Sequence, residues 1–248
     1  MLLPFRRVQM KYVLSSRVLW AGFFLLSSSL ANAGITLGGT RVVLQAPSKE
    51  ASILVKNQAS QDVMVQSWME AEEANSSQDV PFAITPPLSR LGGNKQQTLR
   101  ILFQGKGLPS DRESVFRLSV QEIPQKSKSD NTLQIALRQR IKVFYRPNGL
   151  PGSAAEAPSA LQWRLVRHGS ATFMEVTNNS AFHVSFATAN LLVGERSYLV
   201  EADMVAPKSS KSFKVKKFSD SWTAGMKVEF QSVNDYGGLD KNTSSVSG

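Results

Sequence analysis

From Gly34 onward the apolar residues fall in short runs between turn-formers, and signals for helix are almost absent. The runs Arg41-Val42-Val43-Leu44, Ser52-Ile53-Leu54-Val55, Val63-Met64-Val65-Gln66-Ser67-Trp68 and Thr98-Leu99-Arg100-Ile101-Leu102-Phe103 are rich in β-branched and aromatic residues. Such residues suit a pleated, half-buried surface. Turn clusters separate them at Asn57 to Gln61, Pro86-Pro87, Gly92-Gly93-Asn94 and Gly105 to Ser110. Short strands at this spacing predict an all-β sandwich or barrel. A stretch rich in proline and glycine, Arg146 to Ser153, continues through Pro158 and marks a domain boundary. The strand pattern then restarts at Leu161 to Val166 and Thr172 to Val176, and runs on to Lys227 to Phe230. The chain therefore reads as a first domain at 34–147, a linker at 148–159 and a second domain at 160–248.

One run is longer than the rest. Thr132 to Tyr145 holds no glycine or proline. Leu133, Ile135 and Leu137 alternate with polar or small residues, and the same parity resumes at Ile141, Val143 and Tyr145. Continuous strand over this stretch would be about twice the mean length of ~5–6 residues. One end is therefore expected to run past its sheet. Either its apolar face lies in this domain's own core, or it is an exposed apolar edge. Native proteins suppress such edges unless the edge is kept to pair with another chain.

The first 33 residues read differently. Arg6, Arg7, Lys11 and Arg17 form a basic leader, Val18 to Leu30 is apolar or small, and Ala31-Asn32-Ala33 is an A-x-A cleavage site. That order is a signal peptide, and the apolar run is shorter than the ~20 residues that span a bilayer. The start could be Met1 or Met10. Removal leaves 25 basic and 19 acidic residues, a net charge of +6. Export argues against nucleic acid as partner. The densest basic run, Lys208 to Lys217, alternates with Phe213 and Val215 and reads as the solvated face of a strand. The chain has no cysteine, so no disulfide, thiolate metal site or thiol nucleophile is possible.

Little else carries chemistry. His168 and His183 are the two histidines, in no catalytic signature and without metal-ligand spacing. They read as ordinary surface or core residues. Gly105-Lys106-Gly107 is too short to cradle a phosphate and precedes no helix. Asn75, Asn178 and Asn242 open glycosylation triplets that matter only in a source that glycosylates. No catalytic residue, metal, cofactor or small-molecule substrate is expected.

A set of ordered motifs is more specific. Leu108-Pro109-Ser110-Asp111-Arg112-Glu113-Ser114-Val115-Phe116, running on to Glu122-Ile123-Pro124, resembles the signature of periplasmic pilus chaperones of the chaperone–usher pathway, the PapD-like family. Leu133 to Leu137 followed by Ile141 to Pro147 is similar to that family's last first-domain strand. Thr40-Arg41, Thr85 to Leu91 and Asn234-Asp235-Tyr236-Gly237-Gly238 also match. Arg117 stands where the family usually has an aromatic, Ser119 where it usually has Asn, and the second domain lacks the cysteine pair of some members. The short stretch from Gln125 to Asn131 is similar to the family's short-loop branch, associated with rod-like pili.

The resemblance implies two immunoglobulin-like β-sandwiches set as an L, in the periplasm, with pilus subunits and an outer-membrane usher as partners. It implies that Leu133, Ile135 and Leu137 are donor residues that complete a subunit lacking its last strand. It implies that Arg41 and Lys142 hold the subunit's C-terminal carboxylate. Glu113, Arg146 and Asp235 match an ion network between the domains. Two other classes compete with this reading. One is a pilin or adhesin built from similar sandwiches, but pilins usually have a single domain, an N-terminal donor segment and a cysteine pair. A secreted enzyme would need a carboxylate or histidine constellation that the sequence lacks.

Overall fold

The computed structural model describes residues 34–73, 79–125, 133, 135–169 and 171–248. The expected leader, Asn75, Thr132, Gln134 and the stretch from 126 to 131 lie outside them. The first half forms nine strands: β1 Ile35–Leu37, β2 Arg41–Gln45, β3 Glu50–Asn57, β4 Val63–Ala71, β5 Phe82–Thr85, β6 Leu88–Leu91, β7 Gln96–Phe103, β8 Ser114–Pro124 and β9 Arg138–Arg146. The second half adds β10 Gln162–His168, β11 Ala171–Asn178, β12 Val184–Val193, β13 Arg196–Leu199, β14 Met204–Val205, β15 Ser209–Lys214, β16 Lys227–Val233 and β17 Leu239–Ser247.

Period-two patterning decides which face each strand buries. In β7, Leu99, Ile101 and Phe103 are buried while Thr98 and Arg100 are exposed. A four-stranded sheet, β1-β3-β7-β5, faces a five-stranded sheet, β2-β9-β8-β4-β6. Their inner faces share one core, with Leu44, Val55, Leu99, Ile101, Phe116, Leu118, Val120 and Val143 fully buried. Burying each such side chain contributes about 1.5–3 kcal/mol. Every ladder here is antiparallel except β2 with β9, which run parallel from Arg41↔Lys142 to Gln45↔Arg146.

The second half builds a separate core around Trp163, whose ring centroid lies 5.5 Å from that of Phe186 and 5.1 Å from that of Phe230. Its strands follow the order β13-β12-β16-β17-β10-β11-β15, with β14 beside β12. The path is continuous because β17 changes partner. Leu239 to Ser245 pair with β16, and Val246 and Ser247 run parallel to Trp163 and Arg164. Both halves are immunoglobulin-like β-sandwiches. The basic run behaves as its alternation suggests: Phe213 and Val215 are buried, and Lys208, Lys211, Lys214, Lys216 and Lys217 are exposed.

The stretch between the sandwiches is packed against the second one. Leu150 and Ala154 rest on its core, and Ala157, which opens a short 3-10 helix at Ala157–Ala160, is buried in it.

The long run passes beyond its sheet at one end, as its length predicts, but the part beyond is not strand. The strand begins at Arg138, and Leu133, Ile135, Ala136 and Leu137 stand outside it. The reason is pairing. The ladder with β8 runs back only to Gln121↔Arg138, followed by one hydrogen bond, 3.0 Å, from the Glu122 N–H to the Leu137 carbonyl. Extended backbone is a strand only while a neighbour satisfies its N–H and C=O groups.

Candidate functional site

The parallel ladder places Arg41 and Lys142 directly opposite one another. Both reach across to the second sandwich. The Arg41 guanidinium donates through Nη1 to the Val233 carbonyl at 2.8 Å and stands 5.5 Å above the Phe144 ring. Its Nε is buried with no hydrogen-bond partner. Lys142 donates through Nζ to Ser185 Oγ at 3.1 Å and lies 3.7 Å from Asp203 Oδ1. Burial pulls the pKa of both cations below their ordinary values: it outweighs Asp235 and Glu113 near Arg41, and Asp203 near Lys142. The two half-buried cations, with Arg41 Nε unpartnered, can offer charged hydrogen bonds to an anion.

Glu113, Arg146 and Asp235 also come together. Glu113 sits just before β8, Arg146 ends β9, and Asp235 lies in the turn after β16. Arg146 donates to Glu113 Oε1 from Nε at 2.9 Å and from Nη2 at 2.8 Å. It donates to Asp235 from Nη1 at 2.7 Å and Nη2 at 2.9 Å, a two-pronged pairing. Burial works against the guanidinium charge, but the Asp235 hydrogen bonds and the two carboxylates outweigh it, so its pKa lies above the ordinary value.

A fourth member was not legible in the sequence. His183 of the second sandwich offers both its backbone N–H, at 2.9 Å, and its ring Nδ1, at 3.0 Å, to Glu113 Oε2. Its ring lies 5.6 Å from that of Phe144. Glu113 thus has both oxygens engaged, one by each sandwich, with its side chain only 2% exposed and that of His183 only 5%. Nothing in the run Phe182-His183-Val184 marks the histidine, because its partner is remote in sequence. The turn of Asp235 is fixed as well. Asn234 Oδ1 accepts the N–H groups of Tyr236 and Gly238. Gly237 has φ +84° and lies so close to Thr40 that a Cβ would stand 2.5 Å from its Oγ1. A cavity of about 210 Å³ opens here, with Arg41, Glu113, Arg146, His183 and Asp235 in its wall.

The donor candidates lie apart from this cleft, at the other end of the same stretch. Leu133, Ile135 and Leu137 are 84%, 65% and 48% exposed. The Leu137 carbonyl bonds to β8, so the N–H and C=O groups of Ala136, Arg138 and Arg140 point to the opposite edge. On that edge β2 covers only Lys142 to Arg146. Among the described residues, the edge before Lys142 has no strand beside it. No group of three or more His, Cys, Asp or Glu is placed to hold a metal among the described residues.

The site thus joins two sandwiches through an ion network and sets two cleft cations beside an edge that has no neighbouring strand among the described residues. Comparison with known proteins gives the family. Residues 34–151 match "Pili and flagellar-assembly chaperone, PapD N-terminal domain", and residues 156–244 match "Pili assembly chaperone PapD, C-terminal domain". The chain is 36% identical over 220 residues to the probable fimbrial chaperone YadV of Escherichia coli K12, covering 85% of this chain and 89% of that protein. A crystal structure of a YadV chaperone superposes with a TM-score of 0.75 at 34% identity, covering 86% of this chain and all of that one. The Salmonella enterica SafA pilin in complex with the SafB chaperone gives 0.72 at 26% identity, covering 86% of this chain and 96% of that one. The chain belongs to the PapD family of pilus-assembly chaperones, a family of chaperones and not of enzymes.

Proposed function

We propose that this protein is a periplasmic chaperone that captures pilus subunits and passes them to an outer-membrane usher. Residues 1–33 are its export leader. Arg41 and Lys142 hold the subunit's C-terminal carboxylate, and the chain end so fixed sets the register of the donated edge. Register matters because a slip of one residue would turn the wrong face inward. Leu133, Ile135 and Leu137 then fill the subunit's groove, while the backbone of Ala136, Arg138 and Arg140 offers hydrogen bonds to it. Glu113, Arg146, Asp235 and His183 hold the two sandwiches in one orientation, so that the cleft cations and the edge face one subunit.

The observation that carries the reading is the Arg41↔Lys142 register. It puts two cleft cations at the point where β2 stops covering β9, and the open edge leads away from them. The test is co-expression with the pilin genes of the same cluster. Arg41→Ala and Lys142→Ala should each keep a native circular dichroism spectrum and lose the co-purifying pilin. Wild-type yields of pilin with both variants would contradict the anchor. Mass spectrometry of the protein from a periplasmic extract should find Gly34 at the N-terminus.

A further inference from the structure

The outer face of the five-stranded sheet carries a cluster that the cleft does not use. Trp68 and Glu70 on β4 meet Arg138 and Arg140 on β9, although β8 runs between those strands. Strands two apart stand about 10 Å from each other, so only long side chains can bridge them. They must also cross a small residue. That residue is Ser119, paired with Trp68 on one side and Arg140 on the other, and fully buried beneath the bridge.

The contacts converge on one carboxylate. Glu70 accepts from the Trp68 indole at 2.6 Å and from Arg138 Nη2 at 3.2 Å, and Arg140 Nε lies 3.0 Å away. The Arg138 guanidinium also stands 5.2 Å above the Trp68 ring. Partial burial raises the Glu70 pKa, but the indole hydrogen bond, the nearby Ser119 hydroxyl and the two arginines outweigh it, so the group lies below the ordinary value. Partly exposed ion pairs of this kind add little to stability. Their position gives them another use. Arg138 is the first residue of β9 and its outermost ladder pair with β8, and the exposed Leu137, Ala136 and Ile135 lie just before it. A side chain clamped there fixes the direction in which the backbone leaves the sheet.

We propose that the Trp68–Glu70–Arg138–Arg140 cluster pre-orients the donor segment, with Arg138 as a positioning residue for subunit capture. The inference rests on the donor-strand reading above. A segment held near its bound direction has less freedom to lose when a subunit arrives, and affinity rises accordingly.

Because the chain has no cysteine, spin labels can be placed at will. Labels on Ala136→Cys and Thr98→Cys, both exposed, report the direction of the segment relative to the opposite sheet. Arg138→Ala and Glu70→Gln should each broaden the distance distribution and leave the melting temperature unchanged. In co-expression with the cluster's pilin, each should lower retained subunit about tenfold. Arg138→Lys keeps charge without the planar stack and should fall between. Ile135→Glu in the same assay separates the two claims. If it retains pilin, the donor reading fails. If it loses pilin while Arg138→Ala and Glu70→Gln match wild type in distance width and capture, the positioning role is overturned.

Discussion

Leu133, Ile135 and Leu137 share one side-chain parity with Ile141 and Val143, yet the first three are largely exposed and the last two are 8% and 0% exposed. The difference lies in what stands beside the backbone. Ile141 and Val143 project between two sheets, from a strand flanked by β8 along its length and by β2 from Lys142 onward. The donor residues have no facing sheet among the described residues, and the β8 ladder has ended. Alternation therefore specifies a face, and only tertiary neighbours decide whether that face is covered. Under the function proposed above, that uncovered apolar face is kept for another molecule.

That contrast can be broken by charge. Ile141→Glu places an unpaired carboxylate in the first core and should destabilise the free protein by about 4 kcal/mol or more. Ile135→Glu should change it by no more than about 0.5 kcal/mol, the range of exposed substitutions. Chemical denaturation of both variants measures the gap, and equal losses would mean that the donor residues are core. Next in size is the ion network. Arg146→Ala removes both hydrogen bonds to Oε1 of the buried Glu113 and should cost about 3–5 kcal/mol, whereas Asp235→Ala removes a half-exposed partner and should cost about 1.5 kcal/mol. Thermal melts read the order of the two, and an equal or reversed order would contradict the burial asymmetry.

Gly237→Ala should cost about 1–2 kcal/mol, well below Arg146→Ala, from its positive φ and its approach to Thr40. Adding Thr40→Ala should recover the part due to the approach and leave the part due to φ. No recovery in the double variant would show that the approach carries no cost.

Much of this was visible in the residues. Period-two patterning in runs such as Val63 to Trp68 gave the strands, and the restart at Leu161 gave the second sandwich. The end of β9 was not visible, because it depends on how far its ladder with β8 extends, which no local residue encodes. Glu113, Arg146 and Asp235 could be linked only through resemblance, since nothing in their local sequence points one at another. His183 escaped even that. Its role follows from a backbone N–H and a ring nitrogen that meet a remote carboxylate only after both sandwiches have folded. Arg117 and Ser119 read as departures and became informative once paired. Arg117 is bound two-pronged to Glu72, at 2.6 and 2.7 Å, and Ser119 leaves the gap that Arg138 and Arg140 cross.

The central claim, that the edge before Lys142 is open in the free chaperone and closed by a subunit, is tested most directly by amide hydrogen exchange. Measured on the free protein and on the co-purified pilin complex, the N–H groups of Ala136, Arg138 and Arg140 should exchange freely in the first and become strongly protected in the second. Those of Ile141 and Val143, within the β8 ladder, should be protected in both. Protection of the edge amides in the free protein, or unchanged exchange in the complex, would contradict the account.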